Sequence, residues 1–277
     1  MAVRLLSAFI GIVIGVTVLI IDNVWVYTAA MSLICAVAVF EITRAVKCEN
    51  QKLMRWVCII TGAVMPFIRI IEPLRFLDSL ATTLFVLALF GIRLKNHKTI
   101  TYEQLAMCGF STIALSFSLS SLILLRYYYP DGKLGVFLIV FTLFSAWFGD
   151  SGAYFVGTFF GKHKLCPNVS PKKTVEGLIG GVATVGIVSV ITCIIYNAIA
   201  MYKVELYIMV PVSMVASLVG VLGDLSASVI KREFDVKDFG NIMPGHGGII
   251  DRFDSVLFVA PVVYFLFTFF PPSLGLR

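Results

Sequence analysis

Residues 135–160 read GVFLIVFTLFSAWFGDSGAYFVGTFF, an apolar run that contains one charged residue, Asp150. A helix of about 20 apolar residues spans the hydrocarbon core of a bilayer, so this run predicts a transmembrane helix. Eight further apolar runs occur in the chain, near residues 5–21, 24–40, 56–71, 79–94, 105–125, 178–199, 206–223 and 255–270. The sequence therefore predicts an all-α fold, a polytopic membrane bundle of about nine transmembrane helices.

The composition supports a membrane protein. Of the 277 residues, 59% are hydrophobic and 14% are charged, whereas about a quarter of a soluble domain is charged. The mean hydropathy is +0.95. These values exclude a soluble globular domain, and no nucleic-acid partner is predicted. The first run lacks an obvious small-residue cleavage site after it and is interpreted as a retained span. The runs at 56–71 and 79–94 are the weakest, and a re-entrant or tilted segment is an alternative for either.

The basic residues predict the orientation. With nine spans and a cytosolic N-terminus, most of the 22 Lys and Arg residues fall in loops on the inner side. The loops at 161–177 and 224–254 then face the cytosol. Two regions are predicted, residues 1–130 with about five spans and residues 131–277 with the cytosol-facing catalytic site. Small-residue faces at Gly180, Gly181 and Gly186 allow close helix contacts within one chain or in a homodimer.

Asp150 lies inside a predicted span. Gly149, Gly152 and Ala153 form a narrow helix face beside it, which allows another helix to approach closely. A hydrogen bond to a neighbouring helix is the simpler explanation for this carboxylate. An intramembrane acid more often indicates function, however, and its partner here would be a cation or a metal.

The block SPKKTVEG at residues 170–177 carries a concentration of positive charge. Ser170 and Pro171 predict a turn or a helix start, because proline suits the first helical position. The helix N-terminus and the adjacent lysines would then attract phosphate. The residues assigned to substrate or phosphate binding in this block are Lys172, Lys173, Thr174 and Glu176. An ordinary basic cytosolic loop is the alternative.

The stretch 224–254 is the most polar part of the chain. If the eighth helix continues past residue 223, then Asp224, Ser228, Lys231 and Arg232 lie on one face. A carboxylate, a hydroxyl and two cations on one stripe suit a metal-bound phosphate. The alternative is a solvated loop with helix-capping aspartates, which would not explain Asp224 inside a span.

Asp251 and Asp254 are spaced i, i+3 at the start of the ninth run. Magnesium takes oxygen ligands and is commonly held by one or two carboxylates together with substrate phosphates. The preceding segment 244–248, PGHGG, is poor in side chains, so its backbone amides could approach an anion. His246 within it is either a general base or a hydrogen-bonding residue, and both roles stay open.

The pattern SxxKRxxxxKDxGxxxPxHGGxxDRxD at residues 228–254 resembles the signature of the CDP-diacylglycerol synthases, also called phosphatidate cytidylyltransferases. The block at 170–177 and the nine-span layout are similar to those of the family's bacterial members. Met243 departs from the family's pattern, in which an apolar residue of similar volume stands.

This resemblance implies a reaction, a set of ions and a location. The reaction is CTP + phosphatidate → CDP-diacylglycerol + pyrophosphate, with Mg²⁺ as cofactor and K⁺ as an assisting ion. The implied setting is a bacterial-type inner membrane, with membrane lipids around the protein and the active site facing the cytoplasm. The acids implied around the metal are Asp150, Asp224 and Asp251. The residues assigned to catalysis are Ser228, Lys231, Arg232, Lys237, Asp238, His246, Arg252 and Asp254. Gly247 and Gly248 are assigned to phosphate binding.

Three other functions remain open from the residues alone. A transporter or ion channel would also place acids in spans, but it favours broken helices or inverted repeats, and neither is visible. A CTP-dependent lipid kinase would share the nucleotide and transfer the γ-phosphate. A structural scaffold would tolerate Asp224→Asn and Asp251→Asn.

Overall fold

The computed structural model describes residues 2–71, 76–128, 132–200, 203–243, 245 and 247–269. Within these ranges the chain forms nine helices and one two-stranded sheet. The helices are α1 (Ala2–Ile20), α2 (Val24–Ala45), α3 (Lys52–Ile70), α4 (Phe76–Lys95), α5 (Tyr102–Tyr127), α6 (Gly132–Phe160), α7 (Val175–Ile199), α8 (Leu206–Glu233) and α9 (Ile250–Phe269). The strands are β1 (Lys164–Cys166) and β2 (Ser170–Thr174). The predicted all-α class is therefore confirmed, and each predicted apolar run coincides with a helix.

Seven of the described helices, α2 to α8, are long and apolar enough to cross a membrane. The chain is thus an integral membrane protein with several spans. The apolar part of α1, Leu6–Ile20, is shorter, and the total of nine spans stays a prediction. The two weakest runs form continuous helices, α3 with 19 residues and α4 with 20.

A local side chain sets the start of helix α2. Helix α2 begins after Asn23, whose side chain accepts hydrogen bonds from the amides of Trp25 and Val26 at 2.9 and 3.2 Å. This arrangement satisfies two of the four amides that lack a partner at any helix start.

Helix α8 continues at its C-terminal end to Glu233, well past its apolar run. The expected continuation of this helix through residues 224–232 is confirmed.

Of the two possibilities predicted at Ser170 and Pro171, a turn or a helix start, the helix start is wrong. These residues open strand β2, which pairs antiparallel with β1 in the register Lys164↔Thr174 and Cys166↔Ser170. Helix α7 begins only at Val175, because the Thr174 hydroxyl accepts the amide of Gly177 at 3.1 Å and caps the helix. Lys172 and Lys173 consequently lie on a hairpin strand and not in a helical first turn.

The chain divides into two compact units. The first contains Met1–Ile123 and Glu233–Arg252, and the second contains Leu124–Arg232 and Phe253–Arg277. Residues 233–252, which follow the eighth helix in sequence, therefore pack with the N-terminal helices.

Close contact between α6 and α7 shapes the second unit. A Cβ atom on Gly181 would lie 2.6 Å from the Gly149 carbonyl oxygen and 3.1 Å from the Ala153 Cβ. A Cβ atom on Gly152 would collide with the Thr184 side chain. The small residues thus bring the two backbones together, as the sequence predicted. This packing occurs within one chain, and the homodimer stays a prediction.

Candidate active site

Helices α6, α8 and α9 each contribute one carboxylate to an acidic group in the second unit, here called the acid cluster: Asp150, Asp224 and Asp254. The buried Ser255 hydroxyl donates a hydrogen bond to Asp150 Oδ2 at 2.8 Å and lies 3.4 Å from Asp254 Oδ1. The Ser255 amide donates to the same Asp254 oxygen at 2.7 Å. One serine therefore fixes the positions of two carboxylates from different helices.

The hairpin brings a cation to the acid cluster. Lys173 of β2 forms an ion pair with Asp224 of α8, and each of the two side chains is 25% exposed. The carboxylates of Asp150, Asp224 and Asp254 repel one another, while Lys173 attracts Asp150 and Lys231 attracts Asp254. The cluster thus has three carboxylates and two nearby lysines in a partly buried environment. This excess of negative charge favours an additional bound cation.

In the first unit, the described residues Met243, Gly245, Gly247 and Gly248 belong to a tight turn, here called the glycine turn. The Met243 amide donates to the Gly247 carbonyl oxygen at 3.0 Å and closes it. Gly245 and Gly247 adopt φ angles of +78° and +83°, which side chains with a Cβ rarely adopt. Pro244 and His246 lie outside the described residues, so the two roles considered for His246 stay predictions.

Asp251 holds this turn from the first residues of α9. Its Oδ2 atom accepts hydrogen bonds from the amides of Phe239 at 2.8 Å and Gly248 at 3.0 Å. A Cβ atom on Gly247 would lie 3.1 Å from Asp251 Oδ2 and 3.4 Å from Asp238 Oδ1. Two carboxylates thus approach the turn where glycine leaves room for them.

Glu41 of helix α2 is the main residue that the sequence did not assign. It is 1% exposed, and its Oε1 and Oε2 atoms accept the amides of Ile249 and Ile250, both at 3.0 Å. A Cβ atom on Gly240 or Gly248 would collide with this carboxylate. An acid at the end of an apolar run was the only signal in the sequence, and it did not indicate the contact with residues so distant along the chain.

Several predicted phosphate ligands are occupied by contacts inside the chain. The Gly248 amide donates to Asp251, and the Thr174 hydroxyl caps α7. Glu176 accepts the amide of Lys162 at 3.0 Å and contacts His163 Nδ1 at 2.6 Å, which ties the start of the hairpin to α7. The assignment of these groups to phosphate stays a prediction.

The remaining predicted residues differ in exposure. Ser228 and Lys231 are half-buried on α8. The exposed ones are Lys172, Arg232, Lys237, Asp238 and Arg252. Of these, Lys172 and Arg232 belong to the second unit, and the other three belong to the first.

The donor chemistry of the acid cluster fits magnesium. Among the described residues, no group of three or more His, Cys, Asp or Glu side chains is arranged to hold a metal ion. Magnesium does not require such a group, since it keeps several waters and binds through one or two carboxylates plus substrate phosphates. Asp150 and Asp224 supply carboxylate oxygens of this kind, and a lysine already occupies the cationic position next to Asp224.

Comparison with known proteins identifies the class. The model of the cytidylyltransferase family matches residues 2–270. The chain therefore belongs to the cytidylyltransferase family and is a nucleotidyltransferase enzyme. Phosphatidate cytidylyltransferase from Bacillus subtilis (strain 168) is 38% identical over 67% of this chain and 65% of its own length. The proteins of the same name from Staphylococcus saprophyticus and Staphylococcus aureus (strain COL) are 36% and 34% identical, over 69% and 73% of this chain and 68% and 71% of their own lengths. The matches thus span about two thirds of the relatives' length.

Proposed function

We propose that this enzyme transfers the cytidylyl group of CTP to phosphatidate and forms CDP-diacylglycerol and pyrophosphate. The observation that carries the proposal is the acid cluster, which is built on apolar helices together with Lys173 in a chain of the cytidylyltransferase family. The relatives named phosphatidate cytidylyltransferase support the choice of substrates.

The reaction is a displacement at phosphorus. An oxygen of the phosphatidate phosphate forms a bond to the α-phosphorus of CTP, the bond from that phosphorus to the β-bridging oxygen breaks, and pyrophosphate leaves. A phosphate monoester is mostly doubly ionised near neutral pH, with a second pKa of about 6. The nucleophile therefore needs no general base from the protein, and catalysis consists of positioning and charge stabilisation.

In this proposal Asp150 and Asp224 hold Mg²⁺, with K⁺ as an assisting ion. Held by these two carboxylates, the metal would supply neutralisation of charge on the triphosphate and on the leaving pyrophosphate. Ser255 keeps the Asp150 carboxylate in place through its 2.8 Å hydrogen bond. Lys173 remains beside Asp224 and adds a fixed positive charge, which substrate phosphates require.

The first unit has cations of its own. Asp251 fixes the glycine turn through two backbone amides, and Lys237 and Arg252 on either side of that turn are exposed. These cations would bind phosphate oxygens, for which arginine and lysine are well suited.

The test is turnover by the purified protein in mixed micelles of detergent and phosphatidate, with CTP labelled at the α-phosphate and Mg²⁺. We expect labelled CDP-diacylglycerol and unlabelled pyrophosphate, loss of both products in EDTA, and recovery when Mg²⁺ is restored. Release of labelled CDP with a phosphorylated lipid would indicate a kinase and contradict the proposal. Absence of turnover together with ion flux in liposomes would indicate a channel.

The cytoplasmic orientation of the site is part of the proposal. Lys164 lies exposed on the hairpin, and a Lys164→Cys variant should react with a membrane-impermeant maleimide in inverted vesicles and not in intact cells. Reaction in intact cells would place the hairpin outside and contradict the orientation.

A further inference from the structure

We infer that Glu41 is a positioning residue for the catalytic signature: its carboxylate sets the conformation of the described residues between 239 and 252 and, through them, of Asp251. The inference rests on the proposed function for its activity measurements. Its structural part is independent of the reaction.

The Glu41 carboxylate contacts the start of helix α9. The carboxylate belongs to α2, yet its two oxygens accept the amides of Ile249, just before α9, and of Ile250, its first residue. Amides at a helix start have no partner within the helix and are usually satisfied by a nearby side chain. Here an acid from a distant part of the sequence takes the place of a local cap, and the negative charge suits the positive end of the helix.

Two acids, Asp251 and Glu41, accept different backbone amides of the signature segment. Three successive amides leave the glycine turn, and Gly248 donates to Asp251 while Ile249 and Ile250 donate to Glu41. Asp251 also accepts the Phe239 amide and so holds the beginning of the segment. Asp251 can keep this position only if α9 starts where Glu41 fixes it.

Two glycines of the signature lie against the Glu41 carboxylate. Side chains at Gly240 and Gly248 are excluded by the Glu41 carboxylate itself, since a Cβ atom at either position would collide with it. These two residues lie at φ angles that do not demand glycine, unlike Gly245 and Gly247. Their lack of a side chain is therefore explained by the space that Glu41 occupies.

The Glu41 side chain is buried. Glu41 is 1% exposed, and a charged group in such a place is strongly disfavoured unless it is paired or hydrogen-bonded. The two amides satisfy it, and no direct contact with a substrate is needed to explain its presence. Glu41 thus acts through the backbone of the signature segment.

The primary variant is Glu41→Gln, which keeps the size of the side chain and replaces one accepting oxygen by an amide donor facing a backbone N–H. We expect kcat to fall about 10- to 100-fold, the range found when groups that orient active-site ligands are removed. The KM values for CTP and phosphatidate should change much less than kcat. Glu49→Gln is the matched control, because Glu49 is an exposed acid of the following loop paired with Arg44 at 3.7 Å; its kcat should equal that of the native protein.

Hydrogen–deuterium exchange provides the readout that needs no turnover. Glu41→Gln should speed exchange in peptides that cover 239–252 and leave the other helices of the first unit unchanged. If the native protein fails to form CDP-diacylglycerol, the proposed function fails, and this exchange measurement still decides the inference about Glu41. Native exchange rates at 239–252 in the variant, or a kcat within twofold of the native value, would overturn it.

A double-mutant cycle tests the same contact from the other side. Gly240→Ala keeps the carboxylate and displaces it by steric contact, so it should lower kcat and speed exchange at 239–252, even if Glu41→Gln yields no folded protein. In a Glu41→Ala background the same glycine substitution should have little further effect, because residues in contact show non-additive effects. Additive losses in the double variant would show that Gly240 and Glu41 act separately and would refute the inference.

Discussion

Lys173 on strand β2 forms an ion pair with Asp224 on helix α8. The hairpin between α6 and α7 thereby places a cation against the acid cluster of the second unit. This contact joins the basic block at 170–177 to Asp224, which precedes the signature segment in the sequence. Both therefore belong to the same candidate site.

Removal of the Lys173 charge should reduce activity. We expect Lys173→Gln to lower kcat/KM about 100-fold, the scale of losing one preorganised charge-stabilising group. The unfolding temperature should fall as well, because Lys173 Nζ is buried and its loss leaves the Asp224 carboxylate without this cation. Steady-state kinetics and thermal unfolding in detergent measure the two effects. Lys164→Gln on the paired strand is the control with expected native activity, and equal losses in the two variants would contradict a specific role for Lys173.

Ser255→Ala should weaken magnesium use by the enzyme. The substitution removes the hydroxyl that donates to Asp150 at 2.8 Å, so Asp150 loses its fixed orientation. We expect the Mg²⁺ concentration for half-maximal activity to rise about 10- to 100-fold, in line with the loss of other groups that orient metal ligands. A magnesium titration of activity measures it.

The control for Ser255 is Ser213→Ala. Ser213 is another buried serine of the second unit, and its hydroxyl donates to the Val210 carbonyl oxygen of its own helix at 2.7 Å. Its titration curve should match that of the native protein. A native curve for Ser255→Ala would mean that this hydroxyl does not orient the site.

Glu176→Gln should loosen the hairpin. Glu176 accepts the amides of Lys162 and His163 and contacts the His163 ring, so the variant loses acceptors at the point where the hairpin begins. We expect faster proteolysis and faster hydrogen exchange within residues 161–174, together with reduced activity because Lys173 lies on this hairpin. Glu103→Gln is the control, since Glu103 also lies in the first turn of a helix and has the same helix-dipole effect. Unchanged exchange in Glu176→Gln would contradict the anchoring role.

Gly181→Val should destabilise the second unit. Its side chain would meet the Gly149 carbonyl oxygen at 2.6 Å, and overpacking of this kind costs about 1–3 kcal/mol. Thermal unfolding in detergent should show a lower midpoint. In Gly91→Ala the added Cβ meets nothing within 4 Å, so the midpoint should stay the same or rise slightly, because alanine favours a helix by about 1 kcal/mol over glycine. A native midpoint for Gly181→Val would show that α6 and α7 are less closely packed than the structure indicates.

The sequence by itself determined the helices and the family. Hydropathy and the requirement that backbone groups be satisfied inside a bilayer favour helices wherever apolar runs are long enough, and the observed helices follow the predicted runs. The signature at 228–254 indicated the family, and the family comparison confirms it. Local rules were less reliable at the hairpin, where Ser170 and Pro171 suited a helix start but pairing with β1 and the Thr174 cap moved that start to Val175.

Only the tertiary structure decided which polar groups meet. Glu41 with Ile249 and Ile250, Ser255 with Asp150, and Lys173 with Asp224 are pairs from distant parts of the chain. Hydropathy and helix periodicity describe neighbours within a few residues, whereas these contacts depend on how whole helices pack. A buried carboxylate is satisfied by any amide or hydroxyl that packing brings within hydrogen-bonding distance. The identity of that partner therefore depends on the tertiary structure.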